Sequence, residues 1–272
     1  AWRYFFSKSQ QTVINRINIF AFLMVVVATA ALFIVLSAFA GLKDFGLSFT
    51  NSFDPDYEIV PVRGKYLTLS ENTLSELESL PLIISVAQEV EEKVFLSFNE
   101  KNQVAYLKAV SENYTNVVGV DSLIALGNWL SFKGPEAVLG FGIAGNMSVG
   151  VFDYSTFLNI TVPKKKKTGP LDQNPFFTKP SVVVGLYQIS EDLDKKYVFA
   201  DLAFGQELMG LSPNNFSSIV LKTAENVTKK KLAKEISPYF KDPINLVSRS
   251  EQNAALHKML NVEHLAIYFI FT

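Results

Sequence analysis

The sequence predicts an α+β domain held between two transmembrane helices. An uncharged apolar run, Ile19–Ala40, precedes the domain, and a second apolar run, Leu265–Phe271, comes at the end of the chain. Between them, segments that alternate apolar and polar residues are interleaved with segments of helical periodicity. The chain is therefore expected to be an integral membrane protein with its large domain outside the hydrocarbon.

The first transmembrane helix is predicted over residues 18–41. Its apolar run has 22 residues without a charge, and a helix of that length spans roughly 30 Å of hydrocarbon. A buried core helix is the alternative, but such helices normally have a polar face. Arg3, Lys8 and Arg16 precede the run, so the positive-inside rule places the N-terminus in the cytoplasm. Residues 1–17 are predicted to lie along the cytoplasmic interface, with an unstructured leader as the alternative.

Composition limits the classes of function. The 272 residues are 49% apolar with a net charge of −1, which argues against nucleic acid as a general partner. The chain has no cysteine, which removes disulfides, thiol catalysis and thiolate metal sites. An outer domain without disulfides is more usual in a bacterial periplasm than in an animal secretory pathway.

The elements of the domain follow in order. Residues 42–55 are interpreted as a polar connector. Segments Tyr57–Val62 and Lys65–Leu69 alternate around Arg63-Gly64, which predicts a hairpin. A helix is expected from its cap at Ser70 to Leu80. The remaining predicted strands are Ile83–Phe98, Gln103–Val110, Glu136–Gly140, Thr156–Val162, Pro180–Ile189, Ser217–Lys222 and Ile244–Val247. The remaining predicted helices are a small one after Gly140, Asp201–Met209 and Ala224–Phe240.

The segment from Pro163 to Pro180 has four prolines, four consecutive lysines and a Phe-Phe pair, so it is predicted to be an irregular loop. One interpretation is a solvated loop tip. The other is a docking element that meets an acidic partner, with the phenylalanines as anchors. The candidate docking residues are Pro163, Lys164, Lys165, Lys166, Lys167, Pro175, Phe176, Phe177 and Pro180.

No catalytic or metal site is predicted. The sequence lacks a GxSxG elbow and a phosphate-binding GxxxxGK[ST] loop. His257 and His264 have no acid cluster nearby, so a metal site is not expected there. Any nucleotide that drives the protein is therefore expected to bind another subunit.

The end of the chain predicts a second membrane helix. Ser248-Arg-Ser-Glu251 is a capping-box pattern, and no helix breaker follows it. The sequence stops about halfway across the membrane, so it is expected to be part of a longer protein.

Several stretches, in this order, resemble one family. They are WRYFFSKSQQTVINRINIF, EAVLGFGIAGNMSV, SVVVGLYQISEDLDKKYVFADLAFGQELMG and SRSEQNAALHKMLNVEHLAIYFIF. The chain resembles the permease subunits of lipoprotein-releasing (Lol-type) ABC transporters, within the wider macrolide-exporter-like and cell-division-permease-like group. The resemblance implies a periplasmic domain with a porter-like part and an inserted, mostly β subdomain, carrying a hook at 163–180 that captures a carrier. The divisions it implies are 1–17, 18–41, 42–114 (porter-like, first half), 115–215 (inserted subdomain), 216–250 (porter-like, second half) and 251–272 (second membrane helix).

The resemblance also implies partners and a role. A second permease subunit would pair with this one in a bacterial inner membrane. A cytosolic ATPase dimer, which holds the ATP and Mg, would drive the transfer of a lipoprotein to a soluble periplasmic carrier. Acyl chains would contact Leu36, Phe39, Leu265 and Phe269. Two alternatives stay open: a force-transmitting permease for drug or peptide export or for control of cell-wall hydrolases, and a two-helix sensor with a ligand-binding outer domain.

Overall fold

The computed structural model describes residues 12–164 and 175–252, and it divides the chain into two units, Ala1–Ser48 and Phe49–Thr272. The second predicted membrane helix, including Leu265 and Phe269, lies outside the described residues. So do the first 11 residues and the centre of the predicted docking loop.

One helix, α1, runs over Thr12–Phe53 and accounts for the first unit's described part. Its segment Asn15–Ala38 has a mean hydropathy of 3.0 and no buried side chain, so it is long and apolar enough to cross a membrane. The prediction of a polar connector at residues 42–55 is wrong up to Phe53, because the helix continues through it. No proline occurs before Pro55, and a few polar residues do not end a helix already formed.

The second unit contains seven short helices among the described residues. They are α2 (Glu71–Glu78), α3 (Tyr114–Val117), α4 (Phe141–Met147), α5 (Glu191–Asp194), α6 (Leu202–Met209), α7 (Lys229–Ile236) and α8 (Arg249–Gln252). Its strands are β1 (Tyr57–Pro61), β2 (Leu67–Thr68), β3 (Ile83–Phe98), β4 (Lys101–Val110), β5 (Ile124–Gly127), β6 (Glu136–Gly140), β7 (Leu158–Pro163), β8 (Phe176–Tyr187), β9 (Tyr197–Asp201), β10 (Asn215–Phe216), β11 (Ser218–Thr223) and β12 (Ile244–Ser248).

Ten of the strands form one mixed sheet in the order β12-β1-β11-β3-β4-β9-β6-β8-β5. Strand β7 pairs with both β3 and β8, so β3, β4, β9, β6, β8 and β7 close into a ring. Strand β3 is 16 residues long, and its first half pairs with β11 while its second half pairs with β7. Outside the ring, β12, β1 and β11 join β3 to form a four-stranded extension of the sheet. Strand β3 therefore belongs both to the ring and to this extension.

The predicted hairpin at Arg63-Gly64 is wrong. Strand β1 pairs instead with β11 and β12, which lie more than 150 residues further along the chain. The short strand β2 pairs with β10 in a separate sheet. Gly64 does turn the chain, with a φ of 82°, but the turn does not bring its two flanks together.

Three clusters of buried side chains form the core. Leu96, Leu107, Leu139 and Ile160 belong to the cluster of the ring strands. A second cluster packs α2 and α7 against the four-stranded extension, with Leu77 and Leu232 fully buried. Helices that pack on a largely antiparallel sheet confirm the α+β prediction.

The third cluster is aromatic. We call its rings, which contact one another at centroid distances of 5.2 to 6.3 Å, the aromatic cluster: Phe53, Tyr114, Trp129, Tyr187, Tyr197 and Phe199. Phe53 is the last residue of α1 and is only 4% exposed. The end of α1 is therefore part of the domain core.

Both predicted helix caps are confirmed. The backbone N–H of Thr73 donates to Ser70 Oγ at 3.3 Å. The backbone N–H of Ser248 donates to Glu251 Oε2 at 2.8 Å, which is the carboxylate half of a capping box. The helix predicted over Ala224–Phe240 is shorter: α7 begins at Lys229, after Asn226 adopts a φ of 62°, and a 3₁₀ turn follows it.

Candidate docking site

The described ends of the predicted docking loop continue two paired strands, whereas the loop was predicted to be irregular throughout. Strands β7 and β8 pair up to Pro163 opposite Phe176, and the N–H of Lys164 donates to the carbonyl of Pro175 at 2.8 Å. Prolines are tolerated here because Pro163 and Pro180 lie where a missing N–H removes little of the ladder. The two strands form a hairpin, which we call the β7–β8 hairpin; residues 165–174 at its centre are outside the described residues.

The structure places the described docking candidates along this hairpin. Pro163 ends β7, and Phe176, Phe177 and Pro180 lie on β8. Phe176 is 50% exposed and Phe177 is 38% exposed, and Pro163, Pro175 and Pro180 are also exposed. Lys164 is half-buried. The other three lysines of the run, Lys165, Lys166 and Lys167, are not described, so their role stays a prediction.

Phe176 and Phe177 do not form one joint anchor, because successive side chains of a strand point to opposite faces. Phe177 lies opposite Val162, which is buried in the ring core. Phe176 lies on the other face with Thr178. Only Phe176 therefore shares a surface with the outward face of β7 and β3.

That outward face carries a groove of about 640 Å³. Its lining residues are Phe95, Ser97, Asn159, Thr161, Phe176 and Thr178. The hydroxyls of Thr161 and Thr178 are hydrogen-bonded at 2.8 Å. No charged side chain is among these six, so the groove offers two aromatic rings on a neutral polar floor. Such a surface suits an apolar anchor from a partner.

Phe95 and Val104 belong to this face and were not predicted. They lie directly opposite each other on β3 and β4 and are 45% and 51% exposed. Phe95 also lies opposite Thr161 of β7, which joins the pair to the hairpin. A signal for Phe95 was present in the sequence: Val94, Leu96 and Phe98 mark the inward phase, which leaves Phe95 as an aromatic residue on the outward phase.

One ion pair fixes the base of the hairpin to the domain. Lys179 of β8 pairs with Glu207 of α6, and its Nζ lies 4.8 Å from the ring centroid of Phe204. An ammonium over an aromatic face is attractive by about 0.5–1 kcal/mol at exposed sites. The face of β8 that bears Phe177 and Lys179 is therefore tied to α6, while the face that bears Phe176 lines the groove.

The other predicted site residues are less fully described. Leu36 lies on α1 and is half-exposed, within the apolar segment. The backbone of Phe39 belongs to the same helix. Among the residues that the structure describes, no group of three or more His, Asp or Glu side chains is arranged to hold a metal ion.

Comparison with known proteins identifies the fold. No protein-family model matches the chain, and no curated protein matches it in sequence. The periplasmic region of MacB from Actinobacillus actinomycetemcomitans superposes with a TM-score of 0.50 at 14% identity, over 74% of this chain and 91% of that one. The extracellular domain of the ABC-type transporter YknZ from Gram-positive bacteria gives a TM-score of 0.47 at 14% identity, over 70% of this chain and 98% of that one.

The match to MacB covers most of both chains, and it agrees with the porter-like fold that the sequence resemblance implied. At this level of identity it is the fold that is shared. The domain therefore has the fold of the periplasmic region of MacB.

Proposed function

We propose that this chain is the permease subunit of an ABC transporter that lifts lipoproteins out of a bacterial inner membrane and passes them to a periplasmic carrier. The observation that carries the proposal is a MacB-like domain in the same chain as a 24-residue apolar segment, with a hairpin that exposes aromatic residues. In this proposal the domain transmits movement from the membrane helices to the lipoprotein and its carrier, and ATP is hydrolysed on another subunit.

The mechanism follows from the way in which α1 ends. Phe53 is packed among the rings of Tyr187, Tyr197 and Phe199, so the last turn of the helix and the domain core move together. At the other end of the domain's chain, Arg249 of α8 bonds to Asp56 at 2.8 Å, which ties the start of the next helix to the residues after α1. Nucleotide-driven movement of the membrane helices would reach the domain through these two connections.

The partners of this subunit are an ATPase dimer that binds ATP and Mg in the cytoplasm, a second permease subunit, the lipoprotein and its carrier. Leu36 and Phe39, with Leu265 and Phe269 of the second predicted helix, would contact acyl chains. The permease pair would be homo- or heteromeric. Membrane lipids surround α1, and nucleic acid is not a partner.

The carrier would dock on the β7–β8 hairpin and the adjoining groove. Phe176 lines the groove and would supply an aromatic anchor, and the run Lys164 to Lys167, which follows Pro163 in the sequence, would supply positive charge. Aromatic residues carry much of the binding free energy at protein interfaces, whereas exposed charges mainly raise the association rate. The two parts of the site should thus respond differently to salt.

We expect Phe176→Ala to weaken carrier binding by about 2 kcal/mol, roughly thirtyfold in Kd, at any salt concentration. Replacing the four lysines Lys164–Lys167 by glutamine should slow association at low salt and have little effect at high salt. Surface plasmon resonance with the immobilised full chain in nanodiscs measures the association rate and the dissociation rate, and their ratio gives the Kd.

Phe177→Ala is the matched control, because Phe177 lies on the opposite face of β8 and does not line the groove. Its effect on the Kd should be severalfold smaller than that of Phe176→Ala. If all three variants bind like the parent while they remain folded, the hairpin is ordinary surface. Export of another cargo would then be the better assignment for this fold.

The orientation of the domain is a separate prediction, based on Arg3, Lys8 and Arg16 before the apolar run. The chain has no cysteine, so a single introduced thiol can be labelled without background. Tyr154, 67% exposed, is a suitable site in the domain. A membrane-impermeant maleimide should label Tyr154→Cys in intact spheroplasts and should leave Ser9→Cys unlabelled until the membrane is opened. The reverse pattern would place the domain in the cytoplasm and contradict the transport proposal.

A further inference from the structure

A buried ion pair lies on β3 and β4, in the half of β3 that precedes the groove. Glu89 is 1% exposed, and its Oε1 lies 2.9 Å from Nζ of Lys108. The same Nζ lies 3.3 Å from Oε2 of Glu91, whose side chain is 32% exposed. In the strand register Lys108 is opposite Glu91, and Val110 is opposite Glu89, so all of these side chains project from one face. One ammonium is thus shared between a buried carboxylate and an accessible one.

The hydrogen bonding of Glu89 is incomplete. Its Oε2 is buried and has no hydrogen-bond partner among the described residues, and the same is true of Oγ of Ser218. Ser218 lies directly opposite Glu89 on β11. A charged carboxylate oxygen that is buried without a donor costs free energy, whereas a protonated carboxyl carries a donor of its own. The site therefore favours the protonated form more than an exposed carboxyl would.

The charges around Glu89 shift its pKa in opposite directions. Burial is the main influence and raises the pKa of Glu89 to about 7, while the Lys108 ammonium opposes this rise. The negative charges of Glu91 and of Glu58 on β1 raise the same pKa further. Burial alone would lower the pKa of Lys108, but the neighbouring Glu89 and Tyr114 outweigh it, so the pKa of Lys108 is well above its usual value. The charge of Glu91, 3.3 Å from the ammonium, also raises the pKa of Lys108, so a carboxylate remains beside Lys108 when Glu89 is protonated.

This pair also touches the aromatic cluster. Nζ of Lys108 lies 5.1 Å from the ring centroid of Tyr197, and the Tyr197 ring lies 5.7 Å from that of Phe53. Lys196 approaches the same Tyr197 ring at 4.5 Å. The pKa of Tyr114, which is 1% exposed, is raised by burial and by the charge of Glu89. A change in the charge of Glu89 should therefore alter the packing of the rings around Phe53, the last residue of α1.

We propose that Glu89, Lys108 and Glu91 form a proton-controlled switch in the packing of Phe53. When Glu89 is charged, Lys108 is held between two carboxylates and beside the ring of Tyr197. When Glu89 is protonated, Lys108 pairs with Glu91 alone and moves toward solvent, which weakens its contact with Tyr197. The switch does not depend on the proposed transport function, so the two can be tested separately.

The sign of the effect follows from proton linkage. The pKa of Glu89 is raised from 4.5 to about 7, so between these values the folded chain binds a proton that the unfolded chain does not. The contribution of this group to stability is therefore fully present below the unfolded value and is lost as pH rises through about 7. In the proposed switch, acidification neutralises the buried carboxylate of Glu89, and Lys108 then moves toward solvent.

Trp129 provides the readout, because its ring lies 5.2 Å from Phe199 in the aromatic cluster. The chain has two tryptophans, so Trp2→Phe leaves Trp129 alone. In the full-length protein in nanodiscs, Trp129 fluorescence should titrate once near pH 7. A parent protein that shows no titration in this range would contradict the switch.

Four variants test which group is responsible. Glu89→Gln should abolish the titration. Glu91→Gln should lower its midpoint by about one pH unit, because it removes a like charge, and Lys108→Met should raise it, because it removes the opposite charge. Glu92→Gln is the control: Glu92 pairs with Lys65 at 2.5 Å, away from Lys108, so the midpoint should not move.

A titration that persists in a folded Glu89→Gln variant would overturn the proposal. If that variant does not fold, as judged by circular dichroism, the shift in Glu91→Gln decides, and an unchanged midpoint then contradicts the proposal. Neither result bears on carrier binding at the groove, which is measured on other residues.

Discussion

Replacing Phe53 by alanine should lower the free energy of unfolding of the domain by about 3–5 kcal/mol. Phe53 is 4% exposed, and its ring contacts those of Tyr187, Tyr197 and Phe199 at 5.7 to 6.3 Å. The loss combines the transfer free energy of a buried ring with the cavity that rigid neighbouring rings cannot fill. Denaturant unfolding of the full chain in detergent, with Trp2→Phe in both parent and variant and followed by Trp129 fluorescence, measures this loss.

Phe95→Ala is the matched control for this stability measurement, because it removes the same ring from a position that is 45% exposed. We expect a loss of less than about 1 kcal/mol. Equal losses for the two variants would show that Phe53 is not part of the domain core. The proposed connection between α1 and the domain would then be wrong.

Gly140→Ala should be as damaging, for a steric reason. A Cβ at Gly140 would lie 2.1 Å from the carbonyl oxygen of Asp194 and 2.5 Å from its carbonyl carbon, both backbone atoms. Asp194 cannot withdraw easily, because its Oδ1 accepts a hydrogen bond from the N–H of Ile189 at 2.8 Å. We expect a loss of about 3 kcal/mol or more, measured by the same unfolding experiment.

Gly145 lies in α4, the helix that begins directly after Gly140, and Gly145→Ala serves as the control. Nothing lies within 4 Å of a Cβ at Gly145, so the substitution should be neutral or should stabilise the helix by up to about 1 kcal/mol. A Gly140→Ala protein as stable as Gly145→Ala would mean that the backbone of Asp194 does not lie against Gly140.

Local sequence patterns predicted the local parts of the fold well. The β3–β4 hairpin follows from two alternating segments around a turn in which Asn99 has a φ of 52°. The caps at Ser70 and Ser248 also depend only on residues within one turn. Such features are encoded within about ten residues and need no knowledge of the tertiary fold.

Features that depend on distant pairing were missed. Strand β1 pairs with β11 and β12, and no signal near Arg63-Gly64 could reveal this. Strand β9 was not predicted, because it lies between β4 and β6 with Tyr197 to Ala200 all buried, so it shows no alternation. A strand buried on both faces cannot be distinguished from other apolar runs by periodicity.

In the candidate site, too, the local features were predicted and the features that depend on distant pairing were missed. The sequence identified the Pro163–Pro180 segment through its prolines, lysines and adjacent phenylalanines. It did not reveal that the two phenylalanines face opposite ways, since that depends on the pairing of Phe177 with Val162. It did not reveal the groove either, because Phe95 meets the hairpin only through the pairing of β3 with β7. The boundaries of the inserted subdomain, 115–215, stay a prediction.

In the function that we propose, this chain is a transport subunit driven by an ATPase on another polypeptide. The most direct measurement is ATP hydrolysis by the full-length protein purified from its own membrane in mild detergent, before and after its partners are removed. We expect an ABC-type ATPase to copurify, and hydrolysis to vanish when it is stripped away and to return when it is added back. Hydrolysis by the homogeneous single polypeptide, or purification with no ATPase at all, would contradict the proposed function.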